Sequence, residues 1–110
     1  MNALRNKVQL IGHVGQTPEI HTFESGRKKA KFSIATNYSY KNAKGDKVED
    51  TQWHTVIAWD KTAELIENYV PKGKEIGLEG RLTSRSYEDK DGIKRYVTEI
   101  ICNEVLLLGK

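Results

Sequence analysis

Apolar and polar residues alternate along most of this chain, and the alternation stops wherever Gly, Pro, Asp and Ser collect. Val8, Leu10, Gly12 and Val14 share one parity, the pattern of a strand with one buried face. Gly15 and Pro18 then bend the chain, and Ser25-Gly26 marks a turn. Phe32, Ile34 and Thr36 define a second strand, with Lys31, Ser33 and Ala35 on its other face. The polar stretch Lys41 to Asp50, with Gly45-Asp46 near its centre, is too charged for a core and predicts the tip of a long hairpin. A third strand runs from Thr51 to Trp59. Trp53, Thr55, Ile57 and Trp59 lie on one side and His54, Val56 and Ala58 on the other, so parity leaves open which side is buried.

The only helical pattern follows. Asp60 is placed to cap it with its carboxylate, Lys61 to Val70 form its body, and Leu65, Ile66 and Tyr69 form its apolar stripe. Pro71 and Gly73 end it. Ile76, Leu78, Gly80 and Leu82 open a fourth strand that extends to Tyr87, and Asp91-Gly92 signals a tight hairpin. Tyr96 to Leu108 is the fifth strand, apolar on both faces near its end, which suggests burial against another subunit. Three strands, a helix and two strands predict an all-β fold: a five-stranded OB-fold barrel, all strands antiparallel, with one helix between strands 3 and 4 and long β-hairpins. Closure of the barrel removes most exposed edges.

Composition narrows the function without naming it. A chain of 110 residues, 37% hydrophobic and 30% charged, suits one soluble domain spanning 1–110. No apolar run approaches the roughly 20 residues that span a bilayer, and Arg5 and Lys7 are followed by no signal-like apolar region, so no membrane association and a cytoplasmic location are expected. The single cysteine, Cys102, has no internal disulfide partner and no CxxC spacing; beside Ile100 and Ile101 it fits a small buried hydrophobe. A net charge of +3 permits an anionic partner without demanding one.

The distribution of charge says more than its sum. Tyr40, Trp53, Trp59 and Tyr87 stand apart from the core pattern, Tyr40 and Tyr87 where strands pass into charged hairpins. Trp53 and Trp59 are about 20 Å apart along a strand rising about 3.3 Å per residue, a spacing for separate nucleotides rather than for each other. A flat π-surface suits any base. Burial of both tryptophans in a core is the equal alternative. Cations interleave with the aromatics: Lys41, Lys44 and Lys47 beside Tyr40, Lys61 after Trp59, Lys72 and Lys74 after the helix, and Arg85 before Tyr87. Arg27, Lys28, Lys29 and Lys31 are the densest cluster. Repeated positive contacts are what a phosphate backbone requires.

Catalytic signals are weak. His13, His21 and His54 lack metal-ligand spacing, and no GxSxG, HExxH or Walker-type loop occurs. A non-enzymatic protein without metal or cofactor is expected.

Taken together, Asn6 to Gly12, Gly15-Gln16, Pro18-Glu19, Ser33 to Thr36, Trp53-His54, Lys61, Ala63-Glu64, Tyr69, Lys72-Gly73, Glu79-Gly80 and Tyr96 with Thr98-Glu99 resemble, in order and over nearly the whole chain, the bacterial single-stranded DNA-binding proteins. The resemblance implies an OB fold, a homotetramer, and sequence-nonspecific binding of single-stranded DNA in replication, recombination and repair. It implies base stacking by Tyr40, Trp53, Trp59 and Tyr87, backbone contacts by Lys7, Lys61, Lys72 and Arg85, and a role for His54 in subunit association. Tyr40 and Tyr87 stand where well-known members carry Trp, and Trp59 where they carry Phe; stacking survives these exchanges. Thr55 and Thr83 replace Arg of some members, which thins the phosphate track. An acidic tail of the kind that recruits replication and repair enzymes in that family does not follow Gly109-Lys110; either the sequence is truncated there or the protein is naturally tailless, and in the second case tail-mediated recruitment is not expected.

Overall fold

A computed structural model describes residues 5–108. Seven elements follow one another: β1 (Val8–Val14), β2 (Glu19–Thr22), β3 (Lys28–Lys41), β4 (Lys47–Trp59), α1 (Asp60–Tyr69), β5 (Glu75–Glu88) and β6 (Lys94–Leu107). The sheet order is β1-β5-β6-β4-β3-β2, and β1 also pairs with β3 at His13↔Ala35 and Val14↔Ile34, which closes β1, β3, β4, β5 and β6 into the expected five-stranded barrel. Two features depart from expectation. The short β2 is an additional strand, laid antiparallel on the outer edge of β3. The β4–β6 pairing is parallel, at Val56↔Ile100, Ile57↔Ile101 and Ala58↔Cys102, so the barrel is mixed rather than all antiparallel. The helix between β4 and β5 is what lets the chain cross over and re-enter beside β4 in that sense.

Glycines set the tightest corners. A Cβ on Gly12 would collide with the Ala35 carbonyl, and one on Gly80 with the Ile101 carbonyl, so only glycine lets these strands approach so closely. The Gly80 corner coincides with a register shift: Glu79 pairs with Glu104 but Gly80 with Cys102, so Asn103 is the extra residue of a bulge in β6.

Inside, Val14, Ala30, Phe32, Ile34, Val56, Ala58, Ile76, Leu78, Ile100 and Cys102 pack with Ala63, Ile66 and Val70 from the helix. The even-numbered residues of β3 and β4 therefore face inward where the barrel is closed. Helix α1 covers one end of the core, but its buried residues are Ala63 and Ile66, continued by the buried C-cap Val70; Leu65 is half-buried and Tyr69 largely exposed. The observed spacing of three and then four residues keeps a single stripe, from which Tyr69 is turned about 100°. Asp60 departs from expectation too. Trp59 is the N-cap and no side chain caps the first turn. Asp60 itself has φ of 54°, a left-handed conformation that Asp tolerates better than most residues. Its carboxylate accepts instead from Arg27 Nη2 at 2.9 Å and from the Lys28 backbone N–H at 3.4 Å, tying the helix start to the β2–β3 turn. Hydrogen bonding from the Arg27 guanidinium holds the Asp60 carboxyl below the usual carboxylate range.

Both predicted hairpins are present and long. The β3–β4 pairing continues to Lys41↔Lys47, and the β5–β6 pairing to Glu88↔Lys94. In the latter turn, Asp89 accepts from the backbone N–H groups of Asp91 and Ile93 and from Arg95 Nε. No helix among the described residues is long and apolar enough to cross a membrane.

Candidate nucleic-acid interface

The strand registers decide which aromatics share a surface. Lys31, Ile57, Ile101 and Arg81 stand in one row across β3, β4, β6 and β5 on the barrel's outer face. By alternation, Trp53 and Trp59 on β4 and Arg85 and Tyr87 on β5 lie on that same face. Tyr40 does not. It has the opposite parity on β3, pairs across from Val48 beyond the closed part of the barrel, and stacks on Tyr38 with ring centroids 6.0 Å apart. The structure thus brings three of the four predicted stacking residues to one face and places Tyr40, with Tyr38, on the other side of a projecting ribbon.

Burial resolves the ambiguity of β4. Trp53 is 62% exposed, so it is not a core residue. Its indole lies against Gly15, close enough that a Cβ there would strike the ring. The Gly15 N–H is bonded to the Ser33 carbonyl at 3.0 Å, which fixes this glycine beneath the ring. Trp59 is half-buried, and what covers it is itself aromatic and cationic. Phe23 stacks on it at 5.9 Å and 22°, the Arg27 guanidinium carbon lies 4.5 Å from its centroid, and Lys29 Nζ lies at 5.8 Å. Tyr40 and Tyr87 are exposed, and Arg85 lies 6.0 Å from the Tyr87 ring.

The four predicted backbone contacts differ in electrostatic state. Lys61 and Lys72 are exposed and have no ion-pair partner among the described residues. Lys7 lies 3.7 Å from Glu79. Arg85 is committed further: its Nε donates to Glu99 Oε1 at 3.0 Å, and Glu99 is only 5% exposed. Much of its charge is therefore neutralised locally. These four are dispersed over the start of β1, the first turn of α1, the α1–β5 turn and β5, not gathered in one cluster. His54 is half-buried opposite Ile34, its Nε2 3.0 Å from Thr36 Oγ1.

Sequence reasoning passed over Phe23, Tyr38 and Arg81, and weighed His21 only as a metal ligand. Phe23 follows the short β2, which the alternation pattern does not mark. Tyr38 carried a readable signal, since it lies two residues from Tyr40 and so on the same strand face.

The single-strand binding protein family matches residues 5–108. The chain belongs to that family. Among curated relatives, Single-stranded DNA-binding protein 1 of Chlorobaculum tepidum is 43% identical over 105 residues, covering 94% of this chain and 65% of the relative. The single-stranded DNA-binding protein of Neisseria meningitidis is 41% identical over 104 residues, with 94% and 60% coverage. The chain thus spans less than two thirds of the length of these family members. A solved Plasmodium falciparum SSB in complex with ssDNA superposes with a TM-score of 0.88 at 31% identity, covering 99% of this chain and 100% of the other. The overall fold is therefore shared with that solved protein.

Proposed function

We propose that this chain binds single-stranded DNA without sequence preference and catalyses no reaction, serving replication, recombination and repair in the cytoplasm. The observation that carries this reading is Trp53: a large indole, 62% exposed, held against Gly15 on the same outer face as Trp59, Tyr87, Lys31 and Arg81. An isolated soluble domain gains nothing in stability from leaving such a ring in water, whereas a nucleobase stacked on it contributes about 1–3 kcal/mol. Trp53, Trp59, Tyr87 and Tyr40 stack bases; Lys7, Lys61, Lys72 and Arg85 contact the backbone. The flat rings accept any base, and the phosphate contacts carry no sequence information.

Assembly as a homotetramer is part of the proposal. Ile11 and Leu106, each 64% exposed, flank Gly77 on the β1–β5–β6 surface and supply apolar area suited to a subunit contact. His54 belongs to this proposal as a residue supporting association. Titration with an oligo-dT strand tests binding: tryptophan fluorescence is quenched and the affinity falls with added salt. Absence of quenching at low salt refutes the reading. Light scattering tests the tetramer; a monomer at micromolar concentration refutes it.

A further inference from the structure

The β2–β3 turn carries an aromatic residue that no part of the reading above uses. Phe23 is fixed from both sides of its backbone: its N–H donates to the Arg27 carbonyl at 2.8 Å, and its own carbonyl accepts from Gly26 at 2.9 Å. Its ring lies nearly parallel to Trp59, and His21 abuts it edge-on with centroids 4.3 Å apart at 77°. His21, Phe23 and Trp59 thus form one continuous run of rings from β2 across to β4. Phe23 is 38% exposed even though it stacks on Trp59 and meets His21 edge-on.

The surroundings of Trp59 show why this matters. A base approaching its ring meets Phe23, or Arg27 at 4.5 Å from the centroid. Arg27 is drawn to this position by donating to Asp60, whose backbone is held in the left-handed conformation at the helix start. Ring surface at this end is therefore offered by Phe23 as well as by the part of Trp59 that stays exposed. Cations stand next to it: Lys29 lies directly opposite His21 on β3, and Lys31 follows on the same face. Neither is ion-paired among the described residues. An exposed ring with adjacent lysines fits a nucleobase and its phosphate.

We infer that Phe23 is a further base-stacking residue, extending the platform past Trp59 onto the β2–β3 turn, with Trp59 as the floor that orients it. The inference rests on the proposed binding of single-stranded DNA. Its test uses the whole chain and a labelled oligo-dT, with Phe23→Leu, Phe23→Tyr and Trp53→Ala compared with the unchanged protein by fluorescence polarisation. Leucine keeps the apolar contact with Trp59 but removes the flat ring. Phe23→Leu is expected to weaken binding between about fivefold and about a hundredfold, the range for one lost stack. Phe23→Tyr restores it, and melting temperatures stay level because Phe23 lies outside the core. Ultraviolet crosslinking of oligo-dT to the unchanged protein, read by mass spectrometry, is expected to place an adduct on Phe23. Unchanged affinity in Phe23→Leu while Trp53→Ala binds weakly overturns the inference and leaves the binding function standing. So does crosslinking confined to other residues. If the unchanged protein binds no oligo-dT at all, the binding function fails first.

Discussion

Replacing Gly15 by alanine separates the stability of the barrel from the work of its surface. The new Cβ lands against the Trp53 indole, whose Cη2 would lie 2.9 Å away. That atom is the far end of an exposed side chain, so the ring can tilt outward without disturbing the core. Gly15 is not among the positive-φ glycines, so alanine meets no left-handed strain. Loss of glycine's freedom in the unfolded chain even stabilises by about 0.4–1 kcal/mol. The net effect on folding is therefore small, within about 1 kcal/mol, or roughly 4–8 °C in melting temperature for a domain of this size. Binding behaves differently. A tilted indole forfeits part or all of a stack worth about 1–3 kcal/mol, and Trp53→Ala sets the upper limit. Gly12→Ala is the control: its Cβ meets the Ala35 carbonyl, which the β1–β3 pairing holds in place. Overpacking of that kind costs about 1–3 kcal/mol of stability. Thermal unfolding and oligo-dT titration of the three variants give the comparison. The reasoning is refuted if Gly15→Ala melts as far below the unchanged protein as Gly12→Ala does, or if it binds normally while Trp53→Ala does not.

Three further outcomes follow from the structure. Lys61→Ala and Lys72→Ala are each expected to flatten the dependence of log affinity on log salt by about 0.7, one lost phosphate contact on a single strand; Arg85→Ala is expected to flatten it less, because Glu99 already neutralises that charge. Tyr40→Ala is expected to leave the affinity for a strand just long enough to join Trp53 and Trp59 unchanged, and to weaken a longer one by about 1–3 kcal/mol; equal loss at both lengths, measured by calorimetry, contradicts the placement of Tyr40. Burial pushes the Cys102 thiol up to about 11, whereas an unfolded thiol ionises near about 8.5, so the unfolded chain binds fewer protons between these values. Stability therefore falls as pH rises across that window, and in urea titrations the fall is expected to be smaller in Cys102→Ala.

The sequence made the strand count of the closed barrel, the helix and both hairpins legible, because their signals are local: alternation, an Asp-Gly turn, a Pro-Gly stop. It concealed β2, whose four residues include one aliphatic side chain, Ile20, and which adds to an edge rather than to the core pattern. The parallel β4–β6 pairing was equally hidden, since it joins residues more than forty positions apart with no turn between them to set direction. Parity on β4 stayed ambiguous for a specific reason. Ile57 lies on the outer face yet is 3% exposed, so an apolar residue on that side does not mark the core. At the interface, the aromatic positions were readable as apolar residues in charged surroundings. The pairing of Arg85 with Glu99, and the turning of Asp60 toward Arg27, were not, because each partner lies on a strand or turn distant in sequence.

The division of the aromatics between two faces bears on how a strand can lie on this molecule. Trp53, Trp59, Arg85 and Tyr87 belong to a continuous outer surface, and the row Lys31, Ile57, Ile101 and Arg81 crosses it between the two tryptophans' levels. Tyr38 and Tyr40 point from the opposite side of the β3–β4 ribbon, past the end of the closed barrel. A strand confined to the outer face meets the first group and misses the second. To engage both it has to turn around the edge of that ribbon, where Lys41, Lys44 and Lys47 stand among Asp46, Glu49 and Asp50 and Lys47 lies 3.9 Å from Glu49. A strand that stacks on all of these rings therefore has to wrap around the ribbon rather than lie straight across one face.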